Sequence, residues 1–316
     1  MKQYFAKRVF AAAISLFVIL SLAFAVVRLM PGGVYDDPNL SPAAVSALEH
    51  KAHLDEPIIV QYGYFLKGVL LENDWGVSVK VEPGMEAFDV LKQRIPVSMV
   101  LNIASLIIAL PIGIILGSVA ALKKNTVVDH AISFFVVLGI SIPSFVSATV
   151  MQYLLAYKLD WFPVLYQPKG TIGEQIFSLL LPIFALALGP IATITRYLRA
   201  ELIEVVDSEF MTLATTKGLK RPKALRKHAF RNASLPVVHV IIPMFANVVG
   251  GSMVIERMYS IPGVGGTMIS AINAHDYSLT VATLIFYALV SVLSAFAVDI
   301  AFALIDPRVK FGGGEA

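Results

Sequence analysis

VSMVLNIASLIIALPIGIILGSVAAL, residues 97–122, carries no charged side chain and exceeds the roughly 20 residues that cross about 30 Å of hydrocarbon as a helix. Five more runs of this kind flank it, at residues 9–29, 131–157, 176–194, 237–255 and 279–305. The composition agrees: 57% of the chain is hydrophobic and 15% charged, against about 25% charged in soluble domains. The reading that follows is an all-α integral membrane protein with six transmembrane helices. Cysteine is absent, which excludes disulfides, thiolate catalysis and cysteine metal sites. A formal charge of +3 gives no reason to expect nucleic acid as a partner; the lipid bilayer is the expected one.

Orientation follows from where the basic residues fall, because short Lys- and Arg-rich loops stay on the cytoplasmic side. With the N-terminus inside, the inner segments hold 16 basic residues, among them Lys7, Arg8, Lys123, Lys124, Lys217, Lys223 and Arg231; the outer side holds nine, five of them in residues 31–95 beside ten acidic residues. Both termini are therefore expected in the cytoplasm of a cell-membrane protein. The first run contains the small-x-small triplet Ala23-Phe24-Ala25, but its apolar stretch is longer than a signal-peptide core, so it is read as a helix that stays.

Outside the bilayer, residues 31–95 form the one sizeable external segment. Ser41 before Pro42 and Glu56 before Pro57 each read as an N-cap with proline at the first helical position, and Asn73-Asp74-Trp75-Gly76 reads as a closing turn. The segment is either a cap over the outer mouth or a docking surface. His50 and His53 supply at most two metal ligands with nothing to complete the set, so no metal is expected. The longest inner connection, residues 196–236, carries a helix over Glu209-Phe210-Met211-Thr212-Leu213-Ala214, capped by Asp207 or Ser208 and stopped by Gly218 in a left-handed conformation. A second helix starts near Pro222, and Leu235-Pro236 leads back into the membrane.

The spacing of that connection resembles a known family. Glu209 through Leu219, with Lys217-Gly218 inside it, followed by Lys227 through Leu235-Pro236, is similar to the cytoplasmic EAA loop of the permeases of binding-protein-dependent ABC importers. Arg28 to Gly32, His53 to Pro57 with Gln61-Tyr62, Ser141 to Phe145, Gly251 to Glu256, Ile261 to Gly265, Asp276-Tyr277 and Asp306 to Arg308 look like the oligopeptide, dipeptide and nickel branch, and like the first of its two permease subunits. The motif's glutamate falls at Thr212 and its first alanine at Leu213, with Ala214 kept; Thr215 stands at an often basic position. The resemblance implies a type I (MetI-like) importer fold: a cytoplasmic N-terminus and first helix in 1–30, an external segment 31–95, a five-helix core 96–306, and a cytoplasmic tail 307–316. It implies that Glu209, Phe210, Thr212, Leu213, Ala214, Lys217, Gly218, Leu219, Arg226, Leu235 and Pro236 form the coupling surface for an ATPase. It also implies the partners: a second homologous permease, two ATPase subunits carrying ATP and magnesium, and an external substrate-binding protein. No phosphate-cradling loop occurs in this chain, so it is expected to bind no cofactor and to catalyse nothing itself.

Within the runs, Gly113 and Gly117 lie one turn apart and offer a flat face for close helix packing, expected in part to meet the second permease. Pro143, Pro182 and Pro190 are kinks or sources of freed carbonyls. Asn102, Pro143, Asn247, Ser252, Met253 and Glu256 are candidates for a translocation path or gate, and Asp299, near the inner end of its run, is read as one half of an ion pair. A gradient-driven secondary transporter would show inverted repeats and a central carboxylate, and neither is found. An intramembrane enzyme would need a nucleophile, base and acid at common depth. Peptides are the expected cargo, with nickel chelates, glutathione and oligosaccharides as alternatives.

Overall fold

The computed structural model describes residues 2–29, 33–35 and 41–305. The matches at Met30 to Gly32 and Asp306 to Arg308, and the tail 307–316, lie outside them, as do the side chains of Phe210, Arg226, Leu235 and Asn247. Every regular element among the described residues is helical: α1 (Lys2–Leu29), α2 (Pro42–Lys51), α3 (Ile58–Lys67), α4 (Ala87–Leu122), α5 (Val127–Ser141), α6 (Ser144–Met151), α7 (Ile172–Val206), α8 (Glu209–Thr216), α9 (Arg221–Ala224), α10 (Phe230–Ala246), α11 (Met253–Met258), α12 (Val264–Asn273) and α13 (Tyr277–Ile305). Five helical stretches are long and apolar enough to cross a membrane: Arg8–Leu29, Ala87–Leu122, Ile172–Val206, Phe230–Gly250 and Tyr277–Phe302.

The sixth apolar run differs from its sequence reading. Residues 131–157 read as one crossing, yet the chain bends by 106° between Val127–Ser141 and Ser144–Lys158. Ile142 is extended (φ −86°, ψ 121°) because the following proline ring excludes the helical conformation there. Pro182 and Pro190, by contrast, lie inside an unbroken α7, and Pro236 and Pro243 inside α10. Pro236 therefore does not mark a boundary: α9, a wide turn over Leu225–Ala229, and α10 run together. The run 237–255 also stops early. Gly251 takes φ +68°, a conformation that costs little only for glycine, and residues after it start the separate α11.

Two compact units can be distinguished. Among the described residues, one comprises those within 2–98 and 262–293, the other those within 99–261 and 294–305. In the first, Ser41 caps α2 by accepting from the Ala44 amide (3.2 Å) with Pro42 in the first turn. Pro57 itself, rather than Glu56, occupies the cap position of α3, so no side chain serves that helix end. Asn73 closes the extension of α3 at φ +52°. Leu91, Val264, Ala271 and Leu279 form a buried core with Trp75; a second cluster joins Leu20 and Val27 of α1 to Val69, Val281 and Ile285.

The second unit is built around α7, which packs on α5, α6 and α10. In lipid, helices associate by close van der Waals fit rather than by the hydrophobic effect, and the glycines show that fit. A Cβ at Gly113 would stand 2.8 Å from Ile194 Cβ, and one at Gly117 would stand 2.9 Å from the Thr195 carbonyl oxygen. The Gly113–Gly117 face is thus filled by α7 of the same chain and is not open to a second permease. Gly139 on α5 meets Ala192 in the same way, at 2.9 Å.

Candidate functional site

The 196–236 connection begins where α7 ends. Asp207 sits at its C-terminus and accepts from Lys124 Nζ (2.8 Å), which ties the α4–α5 turn to the base of the connection. Ser208 is the N-cap residue of α8 by backbone conformation (φ −77°, ψ 153°), but its hydroxyl donates to the Val205 carbonyl (2.6 Å) instead of capping the helix.

At the other end of α8, the Gly218 amide donates to the Thr215 carbonyl (2.9 Å) and the Leu219 amide to that of Ala214 (3.2 Å). This pair is the Schellman stop, which requires a left-handed residue after the helix; Gly218 supplies it at φ +88°. A Cβ there would meet nothing within 4 Å, so the demand for glycine comes from the backbone alone.

The stop orients the two faces of α8. Met211 is 4% exposed and joins a cluster with Leu198, Leu202, Ala224, Ala229, Ala233 and Val237, against which Leu219 also packs. Leu213 stands 54% exposed, with Thr212, Thr215, Thr216 and Lys217 exposed around it. The Thr215 and Thr216 hydroxyls donate back to helix carbonyls, Thr216 to Thr212 at 2.8 Å. The open face is therefore neutral and shallow at Thr212 and Leu213, where the motif's acid and alanine fall. Glu209 opens the helix, where a carboxylate complements the N-terminal end of the dipole. Pro236 is exposed immediately before Val237, which enters the core.

An ion pair joins α7 to the start of α5. Arg199 on α7 donates from Nε to Asp129 Oδ1 (2.6 Å) and from Nη2 to Oδ2 (2.8 Å). The Asn125 amide also donates to Oδ2 (2.9 Å), and the Asp129 side chain is 1% exposed. In the sequence Arg199 is one more of the 16 inner basic residues, and nothing there singles out Asp129 as its partner. An acid at the start of an apolar run, which must find a partner in or near hydrocarbon, was the available signal.

The candidate path residues do not form one constellation. Asn102 Nδ2 donates to the Val248 carbonyl (3.0 Å), at the turn Asn247–Gly250 that ends the α10 span. Pro143 makes the α5–α6 bend. Ser252 opens α11; its amide donates to Glu256 Oε1 (3.1 Å), and Glu256 is fully buried while Met253 faces outward. Asp299 is half-buried on α13.

In the other unit, Asp276 appeared in the sequence only as part of a dipeptide match. It proves to be fully buried. Its Oδ2 accepts from Ser78 Oγ (2.6 Å) and from the amides of Val79, Lys80 and Val81 (3.0 to 3.1 Å), while Oδ1 accepts from the Leu279 amide at the start of α13 (3.3 Å). Gly76 lies against this joint: a Cβ there would stand 2.5 Å from Ser278 Oγ. His50 and His53 go separate ways, His50 Nδ1 to Asp55 Oδ2 (2.6 Å) and His53 in a stack on Tyr64 (4.1 Å).

Known proteins match along nearly the whole chain. Residues 113–311 match the family described as the inner membrane component of binding-protein-dependent transport systems, and residues 1–101 match its N-terminal membrane component. A dipeptide transport system permease protein of Bacillus subtilis is 37% identical over 98% of this chain and 98% of its own length. An oligopeptide transport system permease protein of Salmonella typhimurium is 34% identical over 98% and 100%. With matched segments that together cover most of its length and with five crossings and a bent pair, this chain belongs to the inner membrane component family of binding-protein-dependent transport systems, as a multi-pass permease subunit.

Proposed function

We propose that the chain is one membrane half of an importer that receives peptides from an external binding protein and is driven by two ATPase subunits docked on the 196–236 connection. The dipeptide and oligopeptide transport named for its relatives favours peptides over nickel chelates, glutathione or oligosaccharides. A homologous permease completes the pathway, and ATP and magnesium reside on the partners. The excess of basic residues in the inner loops puts both termini and the 196–236 connection in the cytoplasm and residues 31–95 outside.

The observation that carries the coupling role is the mounting of α8. Met211 fixes one face in the core, Gly218 fixes the end, and the short neutral face around Leu213 is left open at the tip of a connection joined to α7 and α10. A partner pressing on that face acts on helices α7 and α10 through a joint with little slack. Because the face is neutral at Thr212 and Leu213, the contact rests on shape and apolar area rather than on an ion pair.

Gly218→Val tests the reading. A β-branched residue at positive φ costs roughly 1 kcal/mol or more, so the helix end re-aims rather than clashes. The reconstituted complex should insert and accept its binding protein but lose stimulated ATP hydrolysis or transport, with Gly218→Ala milder. Transport at the normal rate with ATPases bound would remove the mechanical role. Orientation is tested in the naturally cysteine-free chain: cysteine at Lys80 should react with an impermeant thiol reagent in intact cells, and cysteine at Lys223 only after permeabilisation. Reversed labelling would move the ATPase side.

A further inference from the structure

A cavity of about 550 Å³ opens within the unit that holds α1 and the start of α13. Its inner wall is apolar, made by Phe24, Val27, Phe65 and Val281. Arg28 stands on that wall with its guanidinium 5.4 Å from the Phe24 ring centre and 5.8 Å from that of Tyr277. No carboxylate among the described residues pairs with it. Lys51 and His53 line the cavity from its exposed side. The one acid in the lining, Asp74, already accepts from the Gly76 amide (2.8 Å).

A second polar group in the same cavity also lacks a partner. Gln61 Nε2 donates to the carbonyls of Leu54 (2.9 Å) and Glu56 (2.7 Å), which fixes the direction of the amide. Its Oε1 is then buried with no donor among the described residues to satisfy it, a state that leaves the cost of desolvation uncompensated. Among the described residues the cavity therefore offers no oxyanion to Arg28 and no hydroxyl or ammonium donor to Gln61 Oε1.

We propose that this cavity binds the headgroup of a membrane phospholipid, with the phosphodiester on Arg28 and the alcohol or amine of the headgroup donating to Gln61 Oε1. Arginine grips phosphate through paired N–H groups, and phosphate esters or peptide carboxylates in solution offer related chemistry. Position selects the lipid. Arg28 lies in the last turn of the span Arg8–Leu29 and Tyr277 begins the span Tyr277–Phe302, so both stand at the level where headgroups meet hydrocarbon and where aromatic and basic side chains gather. The apolar wall, shared by α1 and α13, then offers the start of the acyl chains a surface that a free anion would not use.

The test uses the purified importer complex, with thermal unfolding and native mass spectrometry as readouts. Short-chain phosphatidylglycerol or phosphatidylethanolamine should raise the midpoint and appear bound, at least tenfold more tightly than phosphatidylmethanol, whose headgroup has no donor. Arg28→Gln should lose binding at least tenfold, Arg28→Lys should keep part of it, and Gln61→Leu should abolish the preference over phosphatidylmethanol while the complex still folds. Glycerophosphoethanolamine and a tripeptide are the soluble arms. Equal binding of either soluble compound would overturn the lipid assignment, and unchanged lipid binding in both Arg28 variants, or an unchanged headgroup preference in Gln61→Leu, would overturn the site.

Discussion

Asp129 and Asp276 are both buried, both stand at the start of a helix, and both bind a segment distant in sequence, yet their charges are met in different ways. Asp129 faces a guanidinium, supported by the Asn125 amide. Among the described residues Asp276 forms no ion pair; three consecutive amides and a hydroxyl converge on one oxygen, and the helix amide takes the other. A pair of opposite charges can be removed together, leaving two neutral groups. A carboxylate held by backbone N–H groups has no counterpart to delete, because the donors belong to the chain itself. The second arrangement is the more specific, and the less tolerant.

The comparison can be broken at Asp276 first. Asp276→Ala leaves four donors on one side without an acceptor, at about 1 kcal/mol or more each, so a loss on the order of 4 kcal/mol or failure to fold is expected. Asp276→Asn should rescue little, since either amide orientation sets an NH2 group against an N–H donor. Midpoints of detergent-solubilised protein followed by size-exclusion fluorescence give the ranking, and near-native stability of Asp276→Asn would show that the charge is not needed.

Arg199→Gln should cost less, about 2–3 kcal/mol. That is under the usual loss for breaking a buried pair, because the Arg199 side chain is 30% exposed and water can replace part of its contribution. The sharper result is the double variant Asp129→Asn/Arg199→Gln, which should recover a measurable part of that loss. A strictly additive double variant would make the two aspartates equivalent after all.

The smallest effect is expected at an exposed control, His50 with Asp55. The hydrogen bond to the Asp55 carboxylate raises the His50 pKa above its usual 6.5, and the same contact lowers that of Asp55. The histidine's contribution is therefore complete below pH 6.5 and lost as pH rises through its raised value; that of Asp55 is present above its unperturbed value and lost as pH falls through the lowered one. Histidine-resolved NMR should show Asp55→Asn returning His50 to the ordinary value with the unfolding midpoint hardly changed. A large change in midpoint would mean that exposed pairs matter here as much as buried ones.

Legibility in the sequence followed distance along the chain. Gly218 could be read as a helix stop because its requirement is local: an amphipathic turn, a glycine, and an apolar residue at 219 that folds back. Ser41 with Pro42 was readable for the same reason. The 106° bend could be read only as a kink, since Pro143 resembles Pro182 and Pro190 in sequence while the latter two sit in a helix that packing keeps continuous. The early end of the 237–255 run was hidden because hydropathy does not register the sign of a dihedral angle at Gly251. Asp129 with Arg199, and Asp276 with residues 78–81, were out of reach: their partners are 70 and about 200 residues away, and nothing in either segment identifies the other.

The sequence separation of 198 from Ser78 to Asp276 also sets an order of events in the life of the molecule. At the roughly 5–20 residues per second of protein synthesis, about 10–40 s pass between the emergence of the loop and that of the carboxylate it wraps. Throughout that interval α1 and much of the bundle can already be in the bilayer while the Ser78 hydroxyl and the amides of Val79, Lys80 and Val81 lack the carboxylate they close on. A nascent chain arrested short of Asp276 should leave that loop open to protease from the side it faces, and one arrested well beyond α13 should protect it. The joint is thus a latch made at the start of α13, and its closure reports that the chain has been delivered as far as Asp276.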